Sequence, residues 1–423
     1  MIFYSNKEKF LFYIFPAVLF SLLPFFLITG PFLSDFSISL ISLIFLIYCI
    51  KEKNFTFFKK KYFYFFIIFY LYLLTNSLFN NFNFDSLKIS FFYFRYGIFV
   101  IAIVALFDVD SKIMKYFFYS ILICFLILII DGFAQYFYER VNIRISSFFG
   151  DEKILGSYLS RLWPIFFGLS ILIYKQKEKI FYLFIIIFIL SEALIFLSGE
   201  RTSFFYINLS AIFVIFFSKK LLKLRLFTLS SSLLLIIIIG IFNPTAKERI
   251  IDQTLSQMNL AEEKKLVDEK KKDHDGIYIF SKQHTHHYIT AYRIFLDNKV
   301  LGVGIKNFRN FCSNEKYLES ALSCSTHPHN TYIQILSETG IIGFLFIMIA
   351  LIIFIYNISR HFLLSLNKKN YFSGFEICIL STISITLWPF IPTGNFFNNW
   401  LSIIYYFPIG LLLFSLNNKN KTN

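Results

Sequence analysis

Two histidines precede an apolar helix near the end of the chain. Residues 325–343 have the sequence STHPHNTYIQILSETGIIG, in which His327, Pro328 and His329 come just before, or within, the first helical turn. The partial positive charge of a helix N-terminus favours a neutral imidazole, which can accept a proton, and it also attracts phosphate. The sequence therefore predicts His329 as a general base beside an anionic leaving group, with His327 assisting. A helix cap with a packed histidine is the alternative.

Arginine is the side chain best suited to bind phosphate oxygens, because it is always charged and has a planar fork of donors. Four arginines stand out, in FRYG, LSRLWP, SGERTS and YRIFLD: Arg95 and Arg161 within apolar blocks, Arg201 at the edge of one, and Arg293 in a short helix of a long polar loop. A charge inside a span costs about 2.5–3.5 kcal/mol at mid-bilayer, so each is a candidate binding residue. The alternatives are an interfacial anchor or an ion pair with Glu200 for Arg201, a surface charge for Arg293, and pairing with Glu192 or another buried acid for the other two.

Other chemistries find little support. His284, His286 and His287 lie in KQHTHHY, but a zinc site needs three or four rigidly placed ligands, and the usual spacing with cysteines or acids is missing. No nucleophile-elbow pattern occurs, and acids are scarce on the side that carries these motifs. The sequence predicts neither a metal site nor a cofactor.

The composition indicates a membrane protein that must position these residues from its helices. The chain has 423 residues, 57% of them hydrophobic, with a mean hydropathy of +0.62. The apolar residues form continuous blocks of about 18–22, the length of a membrane-spanning helix. The predicted fold class is all-α and polytopic. The net charge of +15 lies mostly in short loops between blocks, which argues against a nucleic-acid partner.

Twelve spans are expected, with lysine-rich loops on one side only. The short loops of the other side carry only Lys88 and Arg201, so the positive-inside rule places both termini in the cytoplasm. The expected domains are membrane helices 1–9 (residues 1–242), a large loop between helices 9 and 10 (243–333) and membrane helices 10–12 (334–423). The spans are approximately 10–29, 33–50, 62–80, 89–107, 113–132, 154–174, 180–198, 202–218, 225–242, 334–357, 374–392 and 399–416.

The large loop is expected to hold a solvated helix over residues 246–275, a shorter helix over 288–297 and a turn at 301–304. It contains Cys312 and Cys324, which can form a disulfide if the loop faces an oxidising compartment. The other three cysteines lie in apolar blocks and are expected to be core residues. No cleavable signal peptide is predicted, because the first apolar block is too long.

Several of these motifs resemble one known family. The stretches FFGDEKILGSYLSRLWP, SGERTS, YRIFLDNKVLGVGIKNF and HPHNTYIQILSETGIIG are similar to segments of the O-antigen ligase and polymerase superfamily of bacterial inner membranes. The resemblance covers most of residues 145–345. It implies a multi-pass, GT-C-like glycosyltransferase that needs no metal and whose active site faces the periplasm.

The resemblance also implies substrates and roles. The donor would be a glycan on undecaprenyl pyrophosphate, the acceptor a sugar hydroxyl of the lipid A core, and membrane lipids the surroundings. His329 would deprotonate the acceptor, Arg201 and Arg293 would bind the pyrophosphate, and Arg161 and His327 are further candidate substrate-binding residues. An O-antigen polymerase is the alternative, since ten residues separate Arg293 from Gly304. A lipid or sugar transporter is the non-enzyme alternative, although no internal repeat is visible.

Overall fold

The computed structural model describes residues 1, 3–80, 83–139, 144–174, 178–219, 221–258, 260 and 278–422. This part of the chain is all-helical and without β-strands, which confirms the predicted fold class. The helices are α1 (Asn6–Ile28), α2 (Pro31–Lys51), α3 (Lys61–Phe79), α4 (Phe84–Val109), α5 (Ile113–Glu139), α6 (Leu155–Tyr174), α7 (Glu178–Ser198), α8 (Arg201–Phe217), α9 (Leu222–Phe242), α10 (residues 244–257, in three short pieces), α11 (Lys282–Asp297), α12 (Thr331–Leu366), α13 (Gly374–Thr386) and α14 (Asn399–Thr422).

Each predicted span coincides with one of these helices. Ten of the described helices are long and apolar enough to cross a membrane, and α8 and α13 are shorter apolar helices. Helix α13 ends at Thr386 and not near residue 392. Pro389 and Pro392 follow closely, and proline disfavours helix both at its own position and at the residue before it. The residues after Thr386, which were expected to be helical, instead form a loop that reaches the candidate site.

Helix α6 lies at the centre of the membrane domain. It is buried along nearly its whole length and packs against α5, α7, α8 and α13. Helix α4 packs in the same way against α2 and α14. The helices before and after the large loop therefore form a single packed body, which holds Arg161 of α6 in its interior.

The large loop differs from its expected structure at the start of its second helix. Helix α11 begins at Lys282, six residues before the predicted start, because the Ser281 side chain caps it by accepting a hydrogen bond from the His284 amide. The adjacent histidines are therefore helical. Residues 244–257 are helical, while residues 259 and 261–275 of the expected solvated helix lie outside the described part. Cys312 and Cys324 form a disulfide, as the sequence allowed.

The loop is fastened to α12 where that helix is broken. Gly340 has a φ of +63°, and Gly302 of the predicted 301–304 turn has a φ of +69°. A Cβ atom on Gly340 would lie 2.2 Å from the Val300 carbonyl oxygen, so only glycine fits this crossing. The backbone groups freed by the break form three hydrogen bonds with the turn: Val303 N to Ser337 O (3.0 Å), Gly304 N to Glu338 O (2.8 Å) and Ile341 N to Lys299 O (2.8 Å).

Candidate active site

A cavity of about 1110 Å³ lies where the large loop meets the ends of the membrane helices. Its lining includes four of the six candidate residues selected from the sequence: Arg161, Arg201, His327 and His329. The remaining walls come from the α1–α2 turn, the segment before α6 and the loop after α13. We call it the histidine cavity. These residues come from distant parts of the chain and were all expected on the same side of the membrane. In the structure they line one cavity.

His329 lies immediately before α12. Asn330 is the N-cap of that helix, and its side chain accepts hydrogen bonds from the amides of Tyr332 (3.0 Å) and Ile333 (3.2 Å). His329 itself has a φ of +59°, a left-handed conformation that is uncommon for residues with a side chain. Its carbonyl accepts a hydrogen bond from the Thr393 amide at 2.8 Å. The helix cap is thus provided by Asn330, which leaves the His329 imidazole available to the cavity.

Three further imidazoles surround that of His329. Their ring centroids lie 4.1 Å (His327), 5.3 Å (His287) and 5.5 Å (His284) from it. Burial lowers the pKa of His329 below its ordinary value, lowers the pKa of His327 to about 3, and lowers the pKa values of His284 and His287 to about 4. Repulsion between protonated rings adds to this for the last three. The four histidines, which we call the histidine cluster, are therefore neutral at physiological pH.

Two members of the cluster, His284 and His327, make polar contacts with the protein. The Nδ1 atom of His284 lies 2.6 Å from Ser281 Oγ, and His327 contacts Thr326 Oγ1 through Nδ1 and the Thr393 carbonyl through Nε2. Within the described ranges, no group of three or more His, Cys, Asp or Glu side chains is arranged to hold a metal ion. In this arrangement the cluster can hold or pass a proton.

Arg161 is the most deeply buried cation of the histidine cavity, with 2% of its surface exposed. Its Nε atom donates to Ser157 Oγ at 3.2 Å, and its guanidinium carbon lies 4.8 Å from the centroid of the Tyr206 ring. One terminal nitrogen is buried and has no hydrogen-bond partner among the described residues. Glu192, a possible partner in the sequence, instead accepts from Asn208 and Ser232. A buried guanidinium with a free donor is suited to bind an anion.

Arg201 begins α8 and faces the same cavity. It donates to Gln257 Oε1 at 2.7 Å and lies over the Phe280 ring at 5.5 Å. It is not paired with Glu200, whose carboxylate accepts from the amides of Gly156 (2.7 Å) and Ser157 (3.1 Å). Its charge is therefore not neutralised by the adjacent acid.

The structure places the other two arginines elsewhere. Arg293 does not line the histidine cavity: it forms an ion pair with Glu319 and donates to the Leu318 carbonyl at 3.1 Å. Arg95 pairs with Asp35 at 2.7 Å, in agreement with the alternative of a buried acid partner. Arg293 therefore fixes one part of the large loop to another in this state of the protein.

Four cations of the cavity were missed in the sequence: Arg144, Lys153, Lys306 and Arg309. Arg144 lies before FFGDEK, Lys153 ends that stretch, and the other two lie in IKNFRN after the glycine turn. All four belong to the longer loops on the side opposite the lysine-rich short loops. They could have been identified in the sequence, because they lie on that side of the membrane and close to the recognised motifs.

The family comparison agrees with this geometry. Residues 183–348 match the family model Wzy_C, described as O-antigen ligase. The matched range contains Arg201 and the whole histidine cluster, whereas Arg161 lies before it. No curated protein matches the chain. The matched domain supports the resemblance to the O-antigen ligase superfamily that the sequence motifs indicate.

Proposed function

We propose that the protein is an O-antigen ligase, which transfers a glycan from undecaprenyl pyrophosphate to a sugar hydroxyl of the lipid A core. The observation that carries this proposal is the meeting of neutral His329 with Arg161 and Arg201 in one cavity. The transfer needs a base for the acceptor hydroxyl and positive charge for the departing pyrophosphate. Both are present on the wall of the same cavity.

In the proposed reaction, His329 accepts the proton of the acceptor hydroxyl while its oxygen attacks the anomeric carbon of the donor sugar. The bond between that carbon and the pyrophosphate oxygen breaks, and the electron pair leaves with the pyrophosphate. Arg161 and Arg201 bind this growing negative charge. Because side chains supply the positive charge, the proposed mechanism uses no metal ion and no cofactor.

The lipid part of the donor needs an apolar site that leads to these arginines. An apolar cavity of about 430 Å³ lies between α3, α4, α12, α13 and α14. Tyr405 lines this cavity, and its ring lies 5.9 Å from the Arg161 guanidinium carbon. A polyprenyl chain in this cavity would place its pyrophosphate close to Arg161, which fixes the donor relative to His329.

We further propose that the histidine cavity faces the periplasm of a bacterial inner membrane, with both termini in the cytoplasm. The lysine-rich short loops support this orientation. The Cys312–Cys324 disulfide on the cavity side supports an oxidising compartment there. In this arrangement, residues 1–242 and 334–423 form the membrane domain and residues 243–333 the periplasmic loop.

An O-antigen polymerase remains the second candidate, because of the spacing between Arg293 and Gly304. In this chain both residues have structural contacts: Arg293 pairs with Glu319, and the Gly304 amide donates to the Glu338 carbonyl. The spacing is therefore accounted for by the fold of the loop, which favours the ligase over the polymerase.

A lipopolysaccharide gel from a deletion strain, with its pool of lipid-linked glycan, tests the proposal. Bare core with long glycan retained on undecaprenyl pyrophosphate is expected, and the wild-type gene should restore the ladder. Core carrying a single repeat unit would show a polymerase instead.

The same strain tests the base. His329→Ala should restore no ladder although the protein reaches the membrane in normal amount, since removing a general base costs about 10²–10⁴-fold. His286→Ala is the matched control, because His286 contacts Ser320 and does not line the cavity. Near-normal transfer by His329→Ala would overturn the role of His329.

A further inference from the structure

A second polar cavity, of about 620 Å³, lies next to the histidine cavity. Lys306 and Arg309 line both cavities, so this short segment forms the wall between them. The rest of the second cavity comes from α2, the first half of α4 and the start of α14. None of the residues that these elements contribute to the second cavity has a role in the proposed mechanism.

The second cavity explains an exception in the charge pattern of the loops. Lys88 and Arg201 are the only cations in the short loops expected to face the periplasm. Arg201 lines the histidine cavity, and Lys88 lines the second cavity. The two exceptions to the positive-inside pattern therefore line two adjoining cavities, with one residue in each.

The wall between the cavities is held rigidly. Asn307, between the two cations, is buried; its side chain donates to the Val303 carbonyl at 2.9 Å and accepts from Asn83 at 2.9 Å. Ser86 of α4 donates to the Ile305 carbonyl. Lys306 adopts a left-handed φ of +56°. The backbone of this wall is thus tied to α4 and to the segment before it.

The lining of the second cavity suits a sugar. Asp35, Asp85, Asn310 and Asn399 provide carboxylates and amides that bind hydroxyl groups, and Phe92, which is 47% exposed, provides an aromatic ring. Such a set of polar groups beside an aromatic ring is what a saccharide requires.

The charges of the cavity add a preference among sugars. Arg95 is neutralised by its ion pair with Asp35. Lys88, Lys306 and Arg309 form no salt bridge within the described residues. Apart from Asp35, the only acid among the described residues that line the second cavity is Asp85. The cavity therefore has an excess of positive charge, which favours a saccharide carrying phosphate or carboxylate.

We propose that the second cavity binds the acceptor, as an anionic saccharide, and that Lys306 and Arg309 guide its hydroxyl group towards His329 in the adjoining cavity. The inference rests on the proposed transferase function and assigns the two substrates to separate cavities: the pyrophosphate of the donor to the histidine cavity, and the acceptor saccharide to the second. The transfer then takes place in the histidine cavity, where the acceptor hydroxyl that extends past Lys306 and Arg309 reaches His329 and the anomeric carbon of the donor.

Binding measurements on the purified full-length protein in lipid nanodiscs test this assignment without requiring turnover. The probes are a fluorescent phosphorylated core oligosaccharide, the same oligosaccharide after removal of its phosphates, and undecaprenyl pyrophosphate. Lys88→Gln should weaken binding of the phosphorylated oligosaccharide about tenfold and leave undecaprenyl pyrophosphate binding unchanged. Asp85→Asn should weaken both oligosaccharides. Lys299→Gln, which removes the same charge outside both cavities, is the matched control.

The outcomes separate this inference from the proposed function. Unchanged oligosaccharide affinity in both Lys88→Gln and Asp85→Asn would overturn the acceptor site, even if the wild-type protein transfers glycan. An affinity that depends on Lys88 and on the phosphates, in a protein that proves unable to transfer, would support the saccharide site and refute the transferase.

Discussion

The imidazole rings of His327 and His329 lie with their centroids 4.1 Å apart and their planes tilted by 43°. At this separation two positive charges would repel strongly in a partly buried site, so protonation of one ring opposes protonation of the other. The pair is therefore held neutral by its geometry as well as by its burial. Burial keeps His329 in the deprotonated form that a general base requires, and the pKa of His327 is lowered by burial and by the neighbouring His329.

The pH dependence of transfer should reflect this. A base works when deprotonated, and the pKa of His329 lies below the ordinary value of 6.5, so kcat should reach half its maximum below pH 6.5. Steady-state kinetics on the purified protein measure this, and a half-maximum above pH 6.5 would contradict it. The folded protein binds fewer protons than the unfolded chain between pH 6.5 and about 4, so stability also falls there, and thermal unfolding at each pH is the control.

Arg201→Lys should lose most of the activity, on the order of tenfold to a hundredfold in kcat/KM. An ammonium keeps the charge but loses the planar fork that binds two phosphate oxygens. The control is Gln257→Ala, which removes the protein partner of Arg201 and leaves its guanidinium in place. Equal losses in the two variants would reduce Arg201 to an anchor for the segment that holds Gln257.

Arg293→Lys should keep most of the activity, in contrast to Arg201→Lys. A lysine can preserve the ion pair with Glu319, and the cavity lining does not include this position. The measurement is the kcat/KM of both variants side by side, together with Glu319→Gln. If Arg293→Lys is as inactive as Arg201→Lys while Glu319→Gln is active, then Arg293 binds the pyrophosphate in the complex, as the sequence had suggested.

The disulfide between Cys312 and Cys324 should protect both thiols from labelling in protein that has not been reduced. The double variant Cys312→Ser, Cys324→Ser is the control, because it retains the buried Cys49, Cys124 and Cys378. Closing a loop of this size stabilises the fold by on the order of 3 kcal/mol. The variant should therefore unfold at a lower temperature than wild type, and two extra labelled thiols in unreduced wild type would exclude the bridge.

The sequence predicted the helices well because each span is a continuous apolar block, whose length is dictated by the bilayer. It placed the ends less well. Helix α13 stops before Pro389, and α11 starts at the Ser281 cap; in both places local chemistry overrides the apolar pattern. A hydropathy pattern does not locate a helix end that is set by a single capping residue or a single proline.

The candidate site was predicted in part. His329 and Arg201 stand out because each is a polar residue at the outer end of an apolar block, and Arg161 because it is a charge inside one. From the sequence, His284 and His287 were candidates only for metal binding, whereas in the structure they pack around His329. Such a contact between a loop helix and a helix entrance depends on tertiary packing. The ion pair of Arg293 with Glu319 is likewise a property of the folded loop alone.

The crossing of Gly302 and Gly340 divides α12 into two limbs with different surroundings. Above the break, the helix starts at the Asn330 cap and is joined by hydrogen bonds to the turn that leads to Lys306. Below it, the helix from Ile341 onward is largely exposed on the membrane side. A bilayer that becomes thicker or thinner can tilt the lower limb about Gly340. The distance between the imidazole of His329 and the cations of the wall therefore does not change when the lower limb tilts in the bilayer.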